Sequence, residues 1–432
     1  MKIFKKAIFV LIAIIIIFSA GRLALVTYDS YVFVPRSPYL VMQTQNSITI
    51  KWQSPEREIG RVEYGFFSDI LDKNISDLKK TNKHSIKISG LQECTKYYYK
   101  VISKTLDIDN SKRSFKTLCK NSDKQLLWVI GDSGVKEKKQ KKVYQEMLKY
   151  INYDVDKLDM WILLGDNAYK SGTQKQYNSK LFEPYKKLVK KLVPWAVAGK
   201  HDAKRWAFYN IWDFPTKGES GGVPSGDESF YSIDNANLHL VMLDSQTPRT
   251  DKNSKLANWL RKDLKANKKP WVVVAIHTPP YTDNKGDSSG TKRAIKRVRE
   301  HLVPIFDEFG VDLVLSGHSH GYERSKLMKN HLGTSDTFKP KEHLVQDSDF
   351  CYTKPFIATK NSGTIYLVNG SASRVDETEL KHPAMPFSFE LMGSLMLEIT
   401  PTTLNSKFLT IDGEIKDEFT IKKNNTKCEG QK

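Results

Sequence analysis

The chain has 432 residues, of which 39% are hydrophobic and 27% are charged. This composition is typical of a globular protein and excludes a disordered chain or a membrane protein with many spans. The length predicts two or three domains. The 68 Lys and Arg residues outnumber the 49 Asp and Glu residues, which gives a formal net charge of +19. Such an excess can attract anionic partners, but the lysines are spread along the chain without a nucleic-acid motif, so we expect no specific nucleic-acid partner.

The first 21 residues predict an export signal or a membrane anchor. A basic start, Met1–Lys6, is followed by an unbroken apolar run, Ala7–Phe18, and by the small residues Ser19–Gly21, which is the order found in secretory signals. The run is shorter than the roughly 20 apolar residues that span a membrane, which favours a cleaved signal. Apolar residues resume at Leu23–Val26, so an uncleaved anchor is the alternative. In either case we expect an exported protein that is secreted, periplasmic or attached to the cell surface.

Residues 32–120 predict a small all-β domain. Ser47–Trp52 and His84–Ile88 alternate apolar and polar side chains, Tyr97–Val101 is rich in aromatic residues, and turn-forming residues separate these runs. Alternation with a period of two is typical of strands that bury one face. The segment therefore predicts a β-sandwich of roughly 90 residues.

The four cysteines predict two disulfides. Cys94 and Cys119 flank a predicted hairpin, and folding that hairpin back on itself brings the two positions opposite one another. Cys351 and Cys428 are then left as the second candidate pair. Free buried thiols are the alternative, but disulfides are the usual state of cysteines in exported chains.

From residue 124 to residue 401 the pattern changes to apolar strands that alternate with amphipathic helices, which predicts an α/β layered domain. The predicted strands are Leu126–Ile130, Met160–Leu164, Trp195–Ala198, Leu238–Leu243, Trp271–Ile276, Val311–Leu315, Ile365–Val368 and Leu395–Ile399. Ser254–Ala266 and Lys292–Phe309 are predicted helices. Residues 402–432 are predicted to form a C-terminal extension.

Residue types that bind metals recur where these strands end. They are Asp132, Asp166, His277, His318 and His320. An isolated Asp after a strand is usually a helix N-cap, but here the residues follow four separate strands. Ligand sites in open α/β sheets lie at the carboxyl ends of the strands, so these side chains are expected to converge. Carboxylates and imidazoles suit zinc, manganese and iron, and two such ions can clamp a phosphoryl group and activate water.

Five short segments at these positions resemble, in order, the five blocks of the calcineurin-like metallophosphoesterases. They are Gly131–Gly134, Gly165–Tyr169, Gly199–Asp202, His277–Tyr281 and Gly317–Arg324. Within that superfamily, Tyr169 and the Tyr-Glu-Arg sequence after Gly321 are similar to purple acid phosphatases. The domain over 32–120, with Pro38–Leu40 and Ile50–Trp52, also resembles the fibronectin-type domain of that family. The resemblance implies an α/β fold, a two-sheet β sandwich flanked by helices, preceded by a small fibronectin-III-like domain.

The resemblance also implies a site for one or two metal ions. The first ion would be held by Asp132, Asp166, Tyr169 and His320. The second ion would share Asp166 and would also be held by His277 and His318. His201 would lie beside the phosphate and protonate the leaving oxygen. A phenolate ligand such as Tyr169 suits iron at the first site, and zinc, manganese or iron suits the second.

Position 200 departs from the family pattern. The family carries an asparagine there, whose carbonyl oxygen binds the second ion, whereas this chain has Lys200. An ammonium group has no lone pair to offer a metal. Three outcomes are then open. The second site can bind a metal ion weakly with three protein ligands, or it can stay empty while the Lys200 ammonium group holds the phosphate electrostatically. Alternatively, the protein has lost catalysis and keeps only a binding role. The segment after His277 also lacks a further substrate-facing histidine, which leaves Asn284 or Lys285 as candidate phosphate contacts.

Together these features predict a metal-dependent phosphoric ester hydrolase, an exported acid phosphatase in which a metal-bound hydroxide attacks phosphomonoesters. A small phosphorylated substrate is the expected partner. A phosphodiester or nucleotide hydrolase with the same site is one alternative. A catalytically weakened binding protein on the same scaffold, with Lys200 in place of the usual ligand, is the other.

Overall fold

The fold is known from a computed structural model, which describes residues 2–135, 137–246, 250–284, 292–379, 382–423 and 428. Its helices are α1 (Lys2–Tyr31), α2 (Glu137–Tyr150), α3 (Gln174–Tyr177), α4 (Ala207–Ile211), α5 (Lys255–Ala266), α6 (Arg293–His301), α7 (Val303–Phe309) and α8 (Pro340–His343). Lys285, one of the predicted phosphate contacts, lies outside the described residues.

Helix α1 continues past residue 21, the predicted end of the export signal, and ends at Tyr31. Its apolar side chains Ile15, Ile17 and Phe18 are exposed, whereas Asp29 near its end is buried. Among the helices that the structure describes, none is both long enough and apolar enough to cross a membrane. The export signal and the anchor both stay predictions.

The N-terminal domain contains seven strands in two antiparallel sheets. The strands are β1 (Arg36–Val41), β2 (Ser47–Glu58), β3 (Arg61–Gly65), β4 (Lys73–Ser76), β5 (Thr81–Ser89), β6 (Lys96–Ile102) and β7 (Ser114–Lys116). The sheet orders are β1-β2-β5 and β4-β3-β6-β7. Alternate residues such as Leu40, Ile50, Trp52, Val62 and Tyr99 form the buried core, as the period of two predicts. The all-β domain is confirmed, while its likeness to fibronectin type III stays a prediction.

Both predicted disulfides are present. Cys94 pairs with Cys119, and Cys351 pairs with Cys428. The first bridge closes the hairpin formed by β6 and β7. The second ties the C-terminal end of the chain to the strand that begins at Cys351.

In the rest of the chain, the described residues form two seven-stranded sheets, ordered β10-β9-β8-β21-β22-β23-β18 and β11-β12-β13-β14-β19-β15-β20, and a separate pair, β16-β17. The strands are β8 (Gln125–Ile130), β9 (Met160–Leu163), β10 (Pro194–Ala196), β11 (Phe230–Asn235), β12 (Leu238–Leu243), β13 (Trp271–Ile276), β14 (Leu313–Ser316), β15 (Tyr322–Arg324), β16 (Leu327–Met328), β17 (Leu344–Gln346), β18 (Cys351–Lys354), β19 (Ile365–Asn369), β20 (Phe387–Phe389), β21 (Gly393–Ile399), β22 (Thr403–Thr410) and β23 (Ile415–Lys423).

Successive side chains of β13 face opposite sides of the second sheet and lie in two different cores. Val129 of β8 and Val273 of β13 lie in one core, between the sheets. The next residue of β13, Val274, packs in a second core with Leu260 of α5 and Phe306 of α7. Burying apolar surface on both faces of a sheet requires helices on its outer side. The predicted two-sheet sandwich flanked by helices is therefore confirmed.

Both predicted amphipathic segments are helical, but the second is broken. Helix α5 begins after Ser254, whose side chain accepts a hydrogen bond from the backbone N–H of Ala257 and so caps it. The segment 292–309 forms two helices, α6 and α7, which meet at Leu302. Pro304 lies in the first turn of α7, where the missing N–H of proline is tolerated.

The predicted C-terminal extension, residues 402–432, contributes two strands to the first sheet. Strands β22 and β23 lie between β21 and β18. Phe408, Phe419 and Ile421 alternate with more exposed residues and are buried. The described part of this segment is therefore integral to the sandwich, because its apolar alternation provides a face that the core must cover.

Candidate metal centre

The predicted ligand residues lie at one end of the two sheets, directly after parallel strands. Asp132 follows β8 and Asp166 follows β9, which are parallel neighbours. His277 follows β13 and His318 follows β14, which are parallel neighbours in the second sheet. Parallel strands end at the same edge, so each pair is brought together by topology. The structure therefore brings these residues together at the carboxyl ends of strands from two sheets.

The backbone at these positions is unusual. Asp132, Asp166 and His318 have φ angles of 54°, 52° and 68°, in the left-handed region that is uncommon for residues other than glycine. A Cβ on Gly199 would lie 2.1 Å from the backbone N of Asp166, so only glycine fits there. Strained residues of this kind persist where surrounding contacts over-determine them, and they cluster at functional sites.

The hydroxyl of Tyr169 lies at the centre of a first group of polar atoms. It lies 2.9 Å from Asp132 Oδ1 and 3.0 Å from Asp166 Oδ2, so its single proton can be donated to one carboxylate at a time, and it lies 3.2 Å from His320 Nε2. His320 Nε2 is itself 3.3 Å from Asp132 Oδ1. Burial and the two carboxylates raise the pKa of Tyr169 well above its usual range, whereas a cation among these oxygens would stabilise the phenolate instead.

A second group of polar atoms lies on the other side of Asp166. Asp166 Oδ1 is 3.6 Å from His277 Nε2, and the rings of His277 and His318 are 5.3 Å apart. His277 Nδ1 donates to the carbonyl oxygen of Leu164 at 2.8 Å, so in the neutral ring the lone pair is on Nε2. This nitrogen is buried and has no hydrogen-bond partner among the described residues. Asp132, Asp166 and His277 can offer ligand atoms that all lie within 4.8 Å of one another.

Asp376 belongs to this site although its sequence context does not indicate it. His320 Nδ1 donates to Asp376 Oδ2 at 2.5 Å, and Arg374 Nε donates to Asp376 Oδ1 at 3.0 Å. A carboxylate on one ring nitrogen fixes the tautomer, so the lone pair of His320 Nε2 faces Asp132 and Tyr169. Asp376 lies outside the five sequence blocks, and only the position of the loop after β19 brings it to His320.

His201 and Lys200 flank the same site from the loop after β10. The backbone N–H of His201 donates to Asp166 Oδ1 at 2.6 Å, and His201 Nε2 lies 3.8 Å from Asp166 Oδ2. Its Nδ1 lies 2.6 Å from the carbonyl oxygen of Lys170. Lys200 is exposed and lines a cleft of about 500 Å³ that also contains Asn284, His318 and His320.

Asp202, next to His201, fixes the loops that carry these residues. Its carboxylate accepts hydrogen bonds from the backbone N–H groups of Asn167 and Gly199 and from the hydroxyl of Tyr177. Burial and the charge of Asp166 raise the pKa of Asp202 to about 7. The sequence places Asp202 in one of the five blocks, but its role in holding the two loops together follows only from these contacts.

Two residues of the Tyr-Glu-Arg sequence support the site without lining it. Glu323 is buried and accepts from Ser319 Oγ at 2.5 Å and from Thr282 Oγ1 at 2.9 Å. Ser319 lies between His318 and His320, so Glu323 ties that loop to the one after β13. Arg324 is also buried and binds Asp417 of β23 through Nε at 2.6 Å and Nη2 at 2.9 Å.

Two family models match the chain in the regions just described. Residues 126–322 match the calcineurin-like phosphoesterases, and residues 35–117 match the purple acid phosphatase N-terminal domain. The chain therefore contains a calcineurin-like phosphoesterase domain, which defines the class of protein. Because this domain follows the N-terminal domain of purple acid phosphatases, the chain is a homologue of purple acid phosphatases.

Individual relatives agree with this assignment. Purple acid phosphatase 22 from Arabidopsis thaliana is 31% identical over 258 residues, which cover 57% of this chain and 54% of the relative. Purple acid phosphatase 21 from the same plant is 26% identical over 330 residues, which cover 71% of this chain and 70% of the relative. The chain thus matches about half the length of the first relative and more of the second.

Solved structures show the same fold. The purple acid phosphatase PPD1 from yellow lupin (Lupinus luteus) superimposes with a TM-score of 0.70 at 16% identity, covering 91% of this chain and 76% of that one. The structure of PhoD superimposes with a TM-score of 0.64 at 16% identity, covering 91% of both chains. The predicted purple acid phosphatase type of fold is therefore confirmed.

Proposed function

We propose that the chain is a metal-dependent phosphoric ester hydrolase that acts on phosphomonoesters. The observation that carries this proposal is the position of Asp166 between two groups of ligand atoms. Its Oδ2 faces Tyr169 at 3.0 Å, and its Oδ1 faces His277 at 3.6 Å. A carboxylate with one oxygen toward each group is suited to bridge two ions.

The first group fits a metal ion, because three oxygen atoms and one imidazole nitrogen converge there. Asp132, Asp166, Tyr169 and His320 would hold this ion, and a phenolate ligand favours iron. Asp166, His277 and His318 would hold a second ion, either zinc, manganese or iron. Ions in such sites lower the pKa of bound water and neutralise charge on phosphoryl oxygens.

His201 and Lys200 act on the substrate in this proposal. His201 Nε2 lies near Asp166, in a position to give a proton to the leaving oxygen. Lys200 forms no hydrogen bond or ion pair with any residue that the structure describes, and it lines the cleft. Its ammonium group can therefore bind phosphate oxygens, where a fixed positive charge stabilises the charge that develops during transfer.

The test is hydrolysis by the purified full-length chain supplied with iron, zinc or manganese. We expect turnover of p-nitrophenyl phosphate that exceeds turnover of bis(p-nitrophenyl) phosphate. Asp166→Asn should abolish it, while the matched variant Asp69→Asn, in an exposed loop of the N-terminal domain, should keep it. No turnover with any metal would overturn the enzyme proposal. A preference for the diester would change the proposed substrate class from phosphomonoesters to phosphodiesters.

A binding protein without catalysis is the second candidate, and Lys200 is the residue that favours it. A lysine at this position removes one ligand and places positive charge near the second ion. Elemental analysis separates the two functions: two metal ions per chain support the hydrolase, whereas a chain that binds phosphate but no metal supports the binding protein.

We also propose that the protein acts outside the cytoplasm. Two disulfides are typical of oxidising compartments, and the start of the chain resembles an export signal. Mass analysis of chain recovered from the medium, the periplasm and the membranes tests this. A mature chain that begins near Arg22 indicates cleavage, full-length chain in membranes indicates an anchor, and recovery from the cytoplasm alone would overturn export.

A further inference from the structure

The second group of ligand atoms lacks a neutral oxygen donor at position 200. Lys200 cannot supply one, because its ammonium group carries only donors. His277 Nε2 is nevertheless buried and without a hydrogen-bond partner among the described residues, which is costly unless something binds it. An oxygen donor on this side of Asp166 would therefore have to come from another side chain of the cleft.

Gln246 lies on the correct side of the cleft. It follows strand β12, which runs parallel to β13 with Leu243 opposite Ile276, so the loop after β12 leaves the sheet beside His277. Gln246 lines the same cleft as Asp166, Lys200 and His318. The neighbouring strands and the contact of Gln246 with Thr278 therefore place it on the His277 side of the cleft.

The amide of Gln246 is held in a defined orientation. Its Nε2 donates to Thr278 Oγ1 at 2.9 Å and to Ser245 Oγ at 3.0 Å. Ser245 Oγ in turn accepts from the backbone N–H of Thr278 at 3.2 Å, and Thr278 directly follows His277. Because the amide nitrogen is bound to Thr278 and Ser245, the amide oxygen Oε1 points away from them and can bind another partner. No residue that the structure describes donates a hydrogen bond to that oxygen.

We propose that Gln246 supplies the amide oxygen for the second metal ion that position 200 no longer provides. An amide oxygen is a neutral donor of the kind that asparagine offers, so it replaces that ligand without adding negative charge. Lys200 is then free to serve the substrate. This inference rests on the proposed metal-dependent function and adds a ligand to it.

The test is metal binding by the full-length chain, with Zn²⁺ alone as the probe. Equilibrium dialysis with elemental analysis gives the number and affinity of bound ions for wild type, Gln246→Leu, Lys200→Asn and the double variant. We expect two ions for wild type and a loss of at least about tenfold in the affinity of one ion for Gln246→Leu, since even residues behind the ligands change affinity by that factor. Asparagine at position 200 should restore that affinity in the double variant.

Two further variants make the result specific. Gln246→Glu keeps an oxygen at the same place and should keep the second ion, whereas Gln92→Leu, on the exposed surface of the N-terminal domain, should change nothing. Two ions with unchanged affinity in Gln246→Leu would overturn the role of Gln246 while leaving the proposed hydrolase intact. A single bound ion in wild type, with an affinity that Gln246→Leu does not change, would also overturn this role. Wild type that binds no ion would overturn the metal-dependent function itself.

Discussion

Replacing Asp376 by alanine should weaken metal binding at the first site. In the folded chain the Asp376 carboxylate accepts the Nδ1 proton of His320 at 2.5 Å, and its side chain is 33% exposed. A hydrogen bond to a charged group contributes about 1.5–3 kcal/mol, and partial exposure places this one at the lower end. Because about 1.4 kcal/mol corresponds to a factor of ten, we expect roughly a tenfold loss of affinity in Asp376→Ala.

The assay is a competition titration of the first metal ion, which reports affinity directly and needs no substrate. Asp376→Asn separates two contributions, because asparagine keeps an acceptor oxygen for His320 Nδ1 but loses the charge. We expect its affinity to lie between those of wild type and Asp376→Ala. Asp347→Asn, an exposed carboxylate paired with Lys326, is the matched control. Wild-type affinity in Asp376→Ala would show that His320 is oriented without this carboxylate, and would refute the reasoning.

Two further predictions concern stability. Asp417→Asn leaves the buried Arg324 with an unbalanced charge, and breaking a buried pair costs about 3–5 kcal/mol, so the midpoint of urea unfolding should fall sharply; an unchanged midpoint would contradict the role given to this pair. Burial lowers the pKa of His331 to about 4 and of His382 to about 3, below the value of about 6.5 in the unfolded chain. Both therefore stay neutral in the fold above about pH 4, so the stability that these two histidines contribute should be complete above about pH 6.5 and should decline as the pH falls toward 4. His382→Gln should reduce that slope by up to about 1.4 kcal/mol per pH unit, and an identical slope in urea unfolding at several pH values would count against it.

Several features could be predicted because they depend on local pattern and general topology. Asp132, Asp166, His277 and His318 each follow an apolar run, and parallel strands in one sheet must end at the same edge. The spacing of Cys94 and Cys119 around a hairpin predicted their pairing for a similar reason, since antiparallel strands bring fixed positions together. Where local pattern and topology agree, no knowledge of distant contacts is needed.

Other features required the tertiary structure. Asp376 lies 56 residues beyond His320, and Asp417 lies 93 beyond Arg324, with no periodicity that links either pair. The segment after residue 401 could not be placed, because a strand pattern shows that a face is buried but not which neighbour covers it. The sequence does not reveal the break between α6 and α7, because both halves keep the same apolar period.

The sequence by itself therefore determined the two classes of domain, the disulfide across the hairpin and the residue types that gather at the ends of the strands. Those properties follow from side-chain period and from strand direction, which are local. The tertiary structure alone decided which atoms face one another: the two oxygens of Asp166 toward separate groups, the carboxylate behind His320, and the amide of Gln246 in the cleft with Lys200. Such contacts depend on where loops from distant parts of the chain come to lie, and a linear pattern carries no signal for that.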